Sequence, residues 1–243
     1  MSEPADSVLV GRRVVVTRPV HQQAGLVDAL RGEGAEPVSL PLIDIVEIPA
    51  GITELRTFLA DAENLAWLVV TSPNGARVVS LLHEEGCVLP PVAALGPATA
   101  EAIGHSVEFV SSRAVASALV DEFPDGAGSV VVVQGDLADF TLSTGLTAKG
   151  WTVHRCDVYR TVDTDPTDDQ LSDAFDADAV VLASGSAARN WARLTGDGFA
   201  GEVVVIGPVT AAAAHDAGLH VSAVADSPTV RGLIEALASA LTP

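Results

Sequence analysis

Tyr159 is the sole tyrosine of this sequence and Lys149 its sole lysine, and those two counts already bound the chemistry. A phenol with a pKa of ~10 is protonated at neutral pH, so Tyr159, set between an apolar stretch and Arg160, can give a proton to a departing hydroxyl where water is excluded. As an ordinary amphipathic residue it would only need a partner for its hydroxyl. Lys149 is followed by glycine at the end of a helical pattern, which excludes a phosphate loop of the Walker type and argues against Schiff-base or pyridoxal phosphate chemistry. Ser186 has no GxSxG setting, so the usual hydrolase elbow is absent. Gly196-Asp197-Gly198-Phe199-Ala200-Gly201 fits GxGxxG but precedes a strand pattern; a dinucleotide fingerprint follows one and opens a helix, so this segment reads as a loop. His154 and Cys156 share one face of a strand, yet a third ligand, a CxxC and an HExxH are all missing, and no metal or other cofactor is expected.

A second set of candidates lies where strands give way to helices: Thr17-Arg18-Pro19, Thr71-Ser72-Pro73-Asn74, Gly96-Pro97-Ala98-Thr99, Ser184-Gly185-Ser186 and Gly207-Pro208-Val209-Thr210. Any one of them is explained by capping, since Ser, Thr and Asn accept from orphan amides and Pro fits the first helical turn. Five in one chain point further, because exposed amides at helix N-termini on the carboxyl edge of a sheet bind anions. Arg18 and Arg160 could add charge to such a site.

Backbone amides matter here because side-chain cations are scarce. The 243 residues carry 13 basic against 32 acidic groups, net -19, a field that repels nucleic acid and anionic membranes. The acidic N-terminal residues and the lack of an apolar run of ~18 residues predict a cytoplasmic protein without a membrane span. Cys87 and Cys156 are too few for a disulfide framework and are expected reduced in the core, as are Trp67, Trp151 and Trp191.

The elements that must position these residues alternate. Short Val-rich runs are expected as strands at 13–17, 36–40, 66–71, 92–95, 107–110, 129–134, 152–156, 179–184, 202–206 and 220–223. Amphipathic stretches with apolar positions three and four apart are expected as helices at 22–31, 74–83, 98–104, 116–123, 138–149, 187–194, 209–217 and 229–241. This is the pattern of βαβ units and parallel sheets, and ten strands suit two sheets better than one. Three blocks recur: TSPNGAR with ASGSAAR at an offset of 112, ALGPATA with VIGPVTA at 111, and GRRVVVTRP with GSVVVVQGD at 117. A period of half the chain means two similar α/β domains and excludes a solenoid. LPLIDIVEI (40–48) and CDVYRTVD (156–163) alternate like extended crossovers, so the chain leaves one domain and later returns; which half owns the opener at 13–40 stays open at this level.

Taken in order, VVVTRP, PLIDI, WLVVTSPNGAR, ALGPATA, DVYRT, VVLASGSAARNW, VVVIGPVTAAAA and SPTVRGLIEAL resemble the uroporphyrinogen-III synthases, the cofactor-free cyclases of tetrapyrrole synthesis. The resemblance implies two doubly wound parallel-sheet α/β domains joined by a two-stranded β-ladder, with the active site in the interdomain cleft and the N-terminal opener in the C-terminal domain. It divides the chain into 1–39 plus 163–243, 49–155, and linkers 40–48 and 156–162. The implied substrate is hydroxymethylbilane, a linear tetrapyrrole rich in carboxylates, closed to uroporphyrinogen III with loss of water and inversion of the last ring. The implied acid is Tyr159, with Thr17, Arg18, Ser72, Asn74, Thr99, Ser184, Ser186 and Thr210 positioning substrate and Thr229 as a family threonine of the closing helix. A monomer that takes substrate from hydroxymethylbilane synthase is expected. The rival of another class is a non-catalytic two-domain binding protein for an anionic small ligand; only the enzyme consumes hydroxymethylbilane.

Overall fold

The structure, a computed structural model, describes residues 7–242. In chain order its elements are β1 (Arg13–Val16), α1 (Ala24–Gly32), β2 (Glu36–Ser39), β3 (Ile43–Glu47), α2 (Pro49–Leu59), β4 (Leu65–Val70) and α3 (Pro73–Glu84). There follow β5 (Val92–Ala94), α4 (Pro97–Ile103), β6 (Phe109–Val110), α5 (Ala116–Glu122), β7 (Ser129–Gly135), α6 (Thr141–Ala148) and β8 (Thr152–Asp163). The chain closes with α7 (Asp168–Phe175), β9 (Ala179–Leu182), α8 (Gly185–Thr195), β10 (Glu202–Val205), α9 (Pro208–Asp216), β11 (Ala223–Val224) and α10 (Val230–Ala240).

These elements form two compact units, one running to Asp44 and resuming at Val162, the other spanning Ile45–Thr161. The first holds a five-stranded sheet in the order β11-β10-β9-β1-β2. The second sheet has six strands in the order β3-β8-β7-β4-β5-β6, and the chain passes between the units along β3 and β8. Strands buried on both faces read as continuous Val and Ala runs, and Val14–Val16, Val130–Val133 and Val203–Val205 are such runs. In the first unit Val14, Val16 and Val181 pack toward α1 and α10, while Val15, Val180 and Leu182 pack toward α8 and α9. In the second unit Leu68, Val70 and Val133 face α2 and α3, and Val69, Val130 and Val132 face α5 and α6. Each sheet is thus covered by helices on both sides.

The internal repeat has a structural counterpart in the registers. Val16 pairs with Ser39 on one side and Val181 on the other; Val133 pairs with Cys156 and Val70. The first two positions shift by 117 and the third by 111, the same offsets that relate the sequence blocks.

The extended crossover at 40–48 holds strand β3, which lies beside β8, and two helices stand outside the sequence pattern: α2, which follows β3 at once, and α7, which precedes β9. Helix α2 carries Gly51 because a Cβ there would strike the carbonyl oxygen of Asp157 on β8. The glycine-rich segment 196–201 is a loop between α8 and β10. Among the described residues no helix is long and apolar enough to cross a membrane.

Candidate active site

In both sheets the chain reverses its direction of winding between two neighbouring strands, β1 and β9 in the first, β7 and β4 in the second. Loops diverge at such a switch point and leave a crevice at the carboxyl ends of the strands. In the second unit that crevice is a cavity of about 310 Å³, lined by Thr71 and Ser72 after β4, Gln134, Gly135 and Asp136 at the end of β7, and Tyr159 and Thr161 on β8.

Ser72 caps α3, accepting from the Gly75 amide at 3.1 Å, and its Oγ lies 2.9 Å from the Tyr159 Oη. Either hydroxyl can donate in that pair. Because Ser72 already accepts from Gly75, a Ser72 hydroxyl that donates to Tyr159 leaves the phenol proton free to point into the cavity. Burial is the main influence on Tyr159 and pushes its pKa up; Ser72 and Asn74 pull it back in part, and the charge of Asp136 adds to the rise. The phenol is therefore held in its protonated, donating form at neutral pH. The main-chain carbonyl of Tyr159 accepts from the Asp136 amide at 3.1 Å, fixing the residue from its backbone side.

The lip of the cavity is built by residues 136–139, with Phe140 next in the chain. Arg155 donates to the carbonyl of Ala138 at 3.0 Å and stacks over the Phe140 ring, 4.2 Å from its centroid. Leu137 and Phe140 nonetheless remain about two-thirds exposed, apolar surface beside the crevice. The Asp139 carboxylate takes the Thr141 amide at the start of α6, and that bond keeps its pKa low. Gln134, almost fully buried, donates to Asp157 at 2.9 Å. These residues carry no separate motif in the sequence. The signal was present in the repeat, since Gln134-Gly135-Asp136 stands opposite Thr17-Arg18-Pro19 and forms a sixth strand-to-helix junction.

The other site residues expected from sequence fall as follows. Asn74 lies in the first turn of α3 and influences the phenol with Ser72. Thr99 is buried in the first turn of α4 and does not line the cavity. In the first unit, Thr17 is fully buried and donates to the Val181 carbonyl at 2.8 Å, which ties the ends of β1 and β9 together. Ser184 caps α8 through the Ala187 amide, while Ser186 accepts from Arg189 at 3.2 Å. Thr210 is buried in α9 and Thr229 caps α10 through the Gly232 amide. Thr17, Arg18, Ser184, Ser186 and Thr210 thus gather at the carboxyl ends of the adjacent strands β1, β9 and β10.

Arg18 differs from its neighbours. It is half-buried, its pKa is lowered by desolvation, and it forms no ion pair among the described residues. A cation partly withdrawn from water without a carboxylate beside it is suited to an anionic ligand.

A family model described as Uroporphyrinogen-III synthase HemD matches residues 24–235. The chain is 30% identical over 244 residues to a protein named chloroplastic uroporphyrinogen-III synthase from Oryza sativa subsp. japonica, covering 94% of this chain and 80% of that one. Among solved structures it is similar to a mutant uroporphyrinogen III synthase from the extremely thermophilic bacterium Thermus thermophilus, with a TM-score of 0.66, 18% identity, and coverage of 95% of this chain and 99% of that one. It is similar also to the uroporphyrinogen-III synthetase of Helicobacter pylori, with a TM-score of 0.62, 18% identity, and coverage of 95% and 100%. At that identity the structural likeness is one of fold.

Proposed function

The chain belongs to the uroporphyrinogen-III synthase family, and from that membership and the geometry of the second unit we propose how it closes hydroxymethylbilane to uroporphyrinogen III. The reaction is that of a lyase in porphyrin biosynthesis. The terminal hydroxyl leaves as water, the resulting azafulvene is attacked by the substituted carbon of ring D, and the spiro intermediate fragments and recloses with that ring inverted. A protein that runs this sequence must help the hydroxyl depart and present the hindered carbon of ring D rather than its free α-carbon.

Tyr159 donates the proton to the departing hydroxyl, and the ring gives a proton back when it closes. The observation that carries this reading is the phenol itself: kept protonated by burial, bonded to Ser72 at 2.9 Å, and facing a cavity at a sheet switch point. At about 310 Å³ the cavity suits one substituted pyrrole rather than a whole tetrapyrrole, so it holds the reacting end. Asp136 and Asp139 make its lip anionic, which turns substrate carboxylates elsewhere. Arg18 and the helix N-termini capped by Ser184 and Thr229 are offered as their partners, with Thr17, Ser186, Thr99 and Thr210 shaping the junctions. The proposal includes a cytoplasmic monomer that takes substrate from hydroxymethylbilane synthase before it can close on its own.

Tyr159→Phe tests the role. The ring stays, so stability changes by about 0.5 to 1.5 kcal/mol for one lost hydrogen bond. The rate falls by about 10²-fold, the low end for general acid assistance because the hydroxyl is a ready leaving group. More type I isomer appears as unprocessed substrate closes spontaneously. Wild-type rate with pure type III product would remove Tyr159 from the mechanism.

A further inference from the structure

The pairing of β7 with β8 is regular from Ser129 opposite Thr152 to Gln134 opposite Asp157, and then it slips: Gly135 stands opposite Tyr159, and Val158 is skipped. Such bulges are uncommon between parallel strands and re-aim the side chain that follows them. Here the slip sets the Tyr159 ring directly over Gly135. A Cβ on Gly135 would lie 2.8 Å from both Cε2 and Cζ of that ring and 3.0 Å from its hydroxyl oxygen. The backbone does not call for glycine at this point, since the φ of Gly135 lies outside the left-handed region where glycine is favoured. What glycine supplies is room.

The other half of the repeat shows the alternative. At the offset of 117, Gly135 corresponds to Arg18 and Tyr159 to Leu42, so the equivalent turn of the first unit carries a long side chain where the second unit carries none. Around the ring, Ser72 bonds the hydroxyl at 2.9 Å and the Asp136 amide holds the main-chain carbonyl at 3.1 Å. The ring is thus held on its hydroxyl, backbone and Gly135 sides.

We infer that Gly135, together with the slip in register beside it, is a positioning residue that seats the Tyr159 ring so that its hydroxyl meets Ser72 and the cavity. The inference rests on the proposed role of Tyr159 as proton donor. It goes beyond that role by assigning the specificity of placement to a residue with no side chain.

Gly135→Ala tests it, assayed for kcat, KM, product isomers and phenolate absorbance against pH. Because the chain has one tyrosine, that absorbance reports Tyr159 alone. The variant is expected to lose about tenfold or more in kcat with KM within about twofold, since a misplaced donor costs chemistry more than binding. Type I product rises, and the Tyr159 titration moves down toward that of an ordinary tyrosine as the ring leaves its buried seat. On a Tyr159→Phe background the same change costs no further rate, whereas general damage would subtract again. A folded Gly135→Ala with unchanged kcat and titration, or an additive loss on the Phe background, overturns the inference. If Gly135→Ala does not fold, Gly135→Ala combined with Tyr159→Leu must, because the ring it meets is gone; a double variant that stays unfolded also overturns it. A Tyr159→Phe enzyme of full rate would instead remove the donor role and leave the seat to be judged by the titration.

Discussion

At the residue scale the proposed proton donor, Tyr159, and its hydroxyl partner Ser72 come first, and the direction of the phenol's pKa follows from its surroundings. Burial raises the phenol, Asp136 adds to this, and the hydroxyl of Ser72 opposes it, with Asn74 as a second opposing group. Tyr159 should therefore titrate above a free tyrosine, and Ser72→Ala should move it further up by removing a bond that favours the phenolate. The sign for activity follows. A donor whose pKa is raised keeps its proton through mildly alkaline pH, so the rate should hold there and fall only as the phenol ionises. A titration at or below that of free tyrosine would mean that the ring is solvated rather than buried. Cys156, by contrast, is fully buried and pushed up to about 12, chiefly by desolvation, which removes it from any thiolate chemistry.

At the scale of elements, the first unit must join strands that lie far apart in the chain, and Asp178 does much of this. Its carboxylate accepts from the Arg13 amide at 2.8 Å and from Arg12 at 2.7 Å, and its own carbonyl accepts from the Glu202 amide at 2.8 Å, so the starts of β1, β9 and β10 meet at one residue. Desolvation alone would raise its pKa, but the bonds from Arg13 and Arg12 outweigh it and the value is lowered. A depressed folded pKa stabilises above the unfolded value and is lost as pH falls through the folded one. Asp178→Asn should thus cost about 1 kcal/mol at neutral pH, discounted for partial exposure, and the gap to wild type should close below the ordinary aspartate range. Equal stability of the two proteins at neutral pH in denaturant unfolding would contradict this. The elements hardest to read from sequence are those with little to bury. Helix α7 buries only Ala174 and is marked chiefly by its capping box, Thr167 with Gln170. Helix α2 buries Leu55 and Leu59 beside Gly51, a residue that lowers helix propensity and is there for its neighbour's sake. The Val-rich strands were legible because burial on both faces leaves no polar alternation to confuse them. Tyr159 and Ser72 stood out by type and junction, whereas Gly135 did not, since a register slip and an absent side chain leave no chemical signature.

For the whole molecule, a net charge of -19 is both a constraint and a handle. Self-repulsion of that size works against the folded state, and the surface ion pairs, such as Arg56 with Glu85 and Arg231 with Glu235, contribute little against it. Raising NaCl from ~20 mM to ~500 mM should screen the repulsion and lift Tm by a few degrees; a Tm that stays level or falls would mean the acidic groups are already balanced locally. An acidic chain that handles a polycarboxylate must place its few cations carefully, and the proposed holders are amides at strand-to-helix junctions and Arg18, which forms no ion pair among the described residues. The measurement that bears most directly on the proposed activity is incubation of the purified protein, dialysed against chelator, with hydroxymethylbilane, followed by oxidation and separation of the porphyrin isomers. Rapid consumption and type III product, without any added metal or nucleotide, is the predicted result. Type I product at the spontaneous rate, with hydroxymethylbilane bound but not turned over, would identify a binding protein and contradict it.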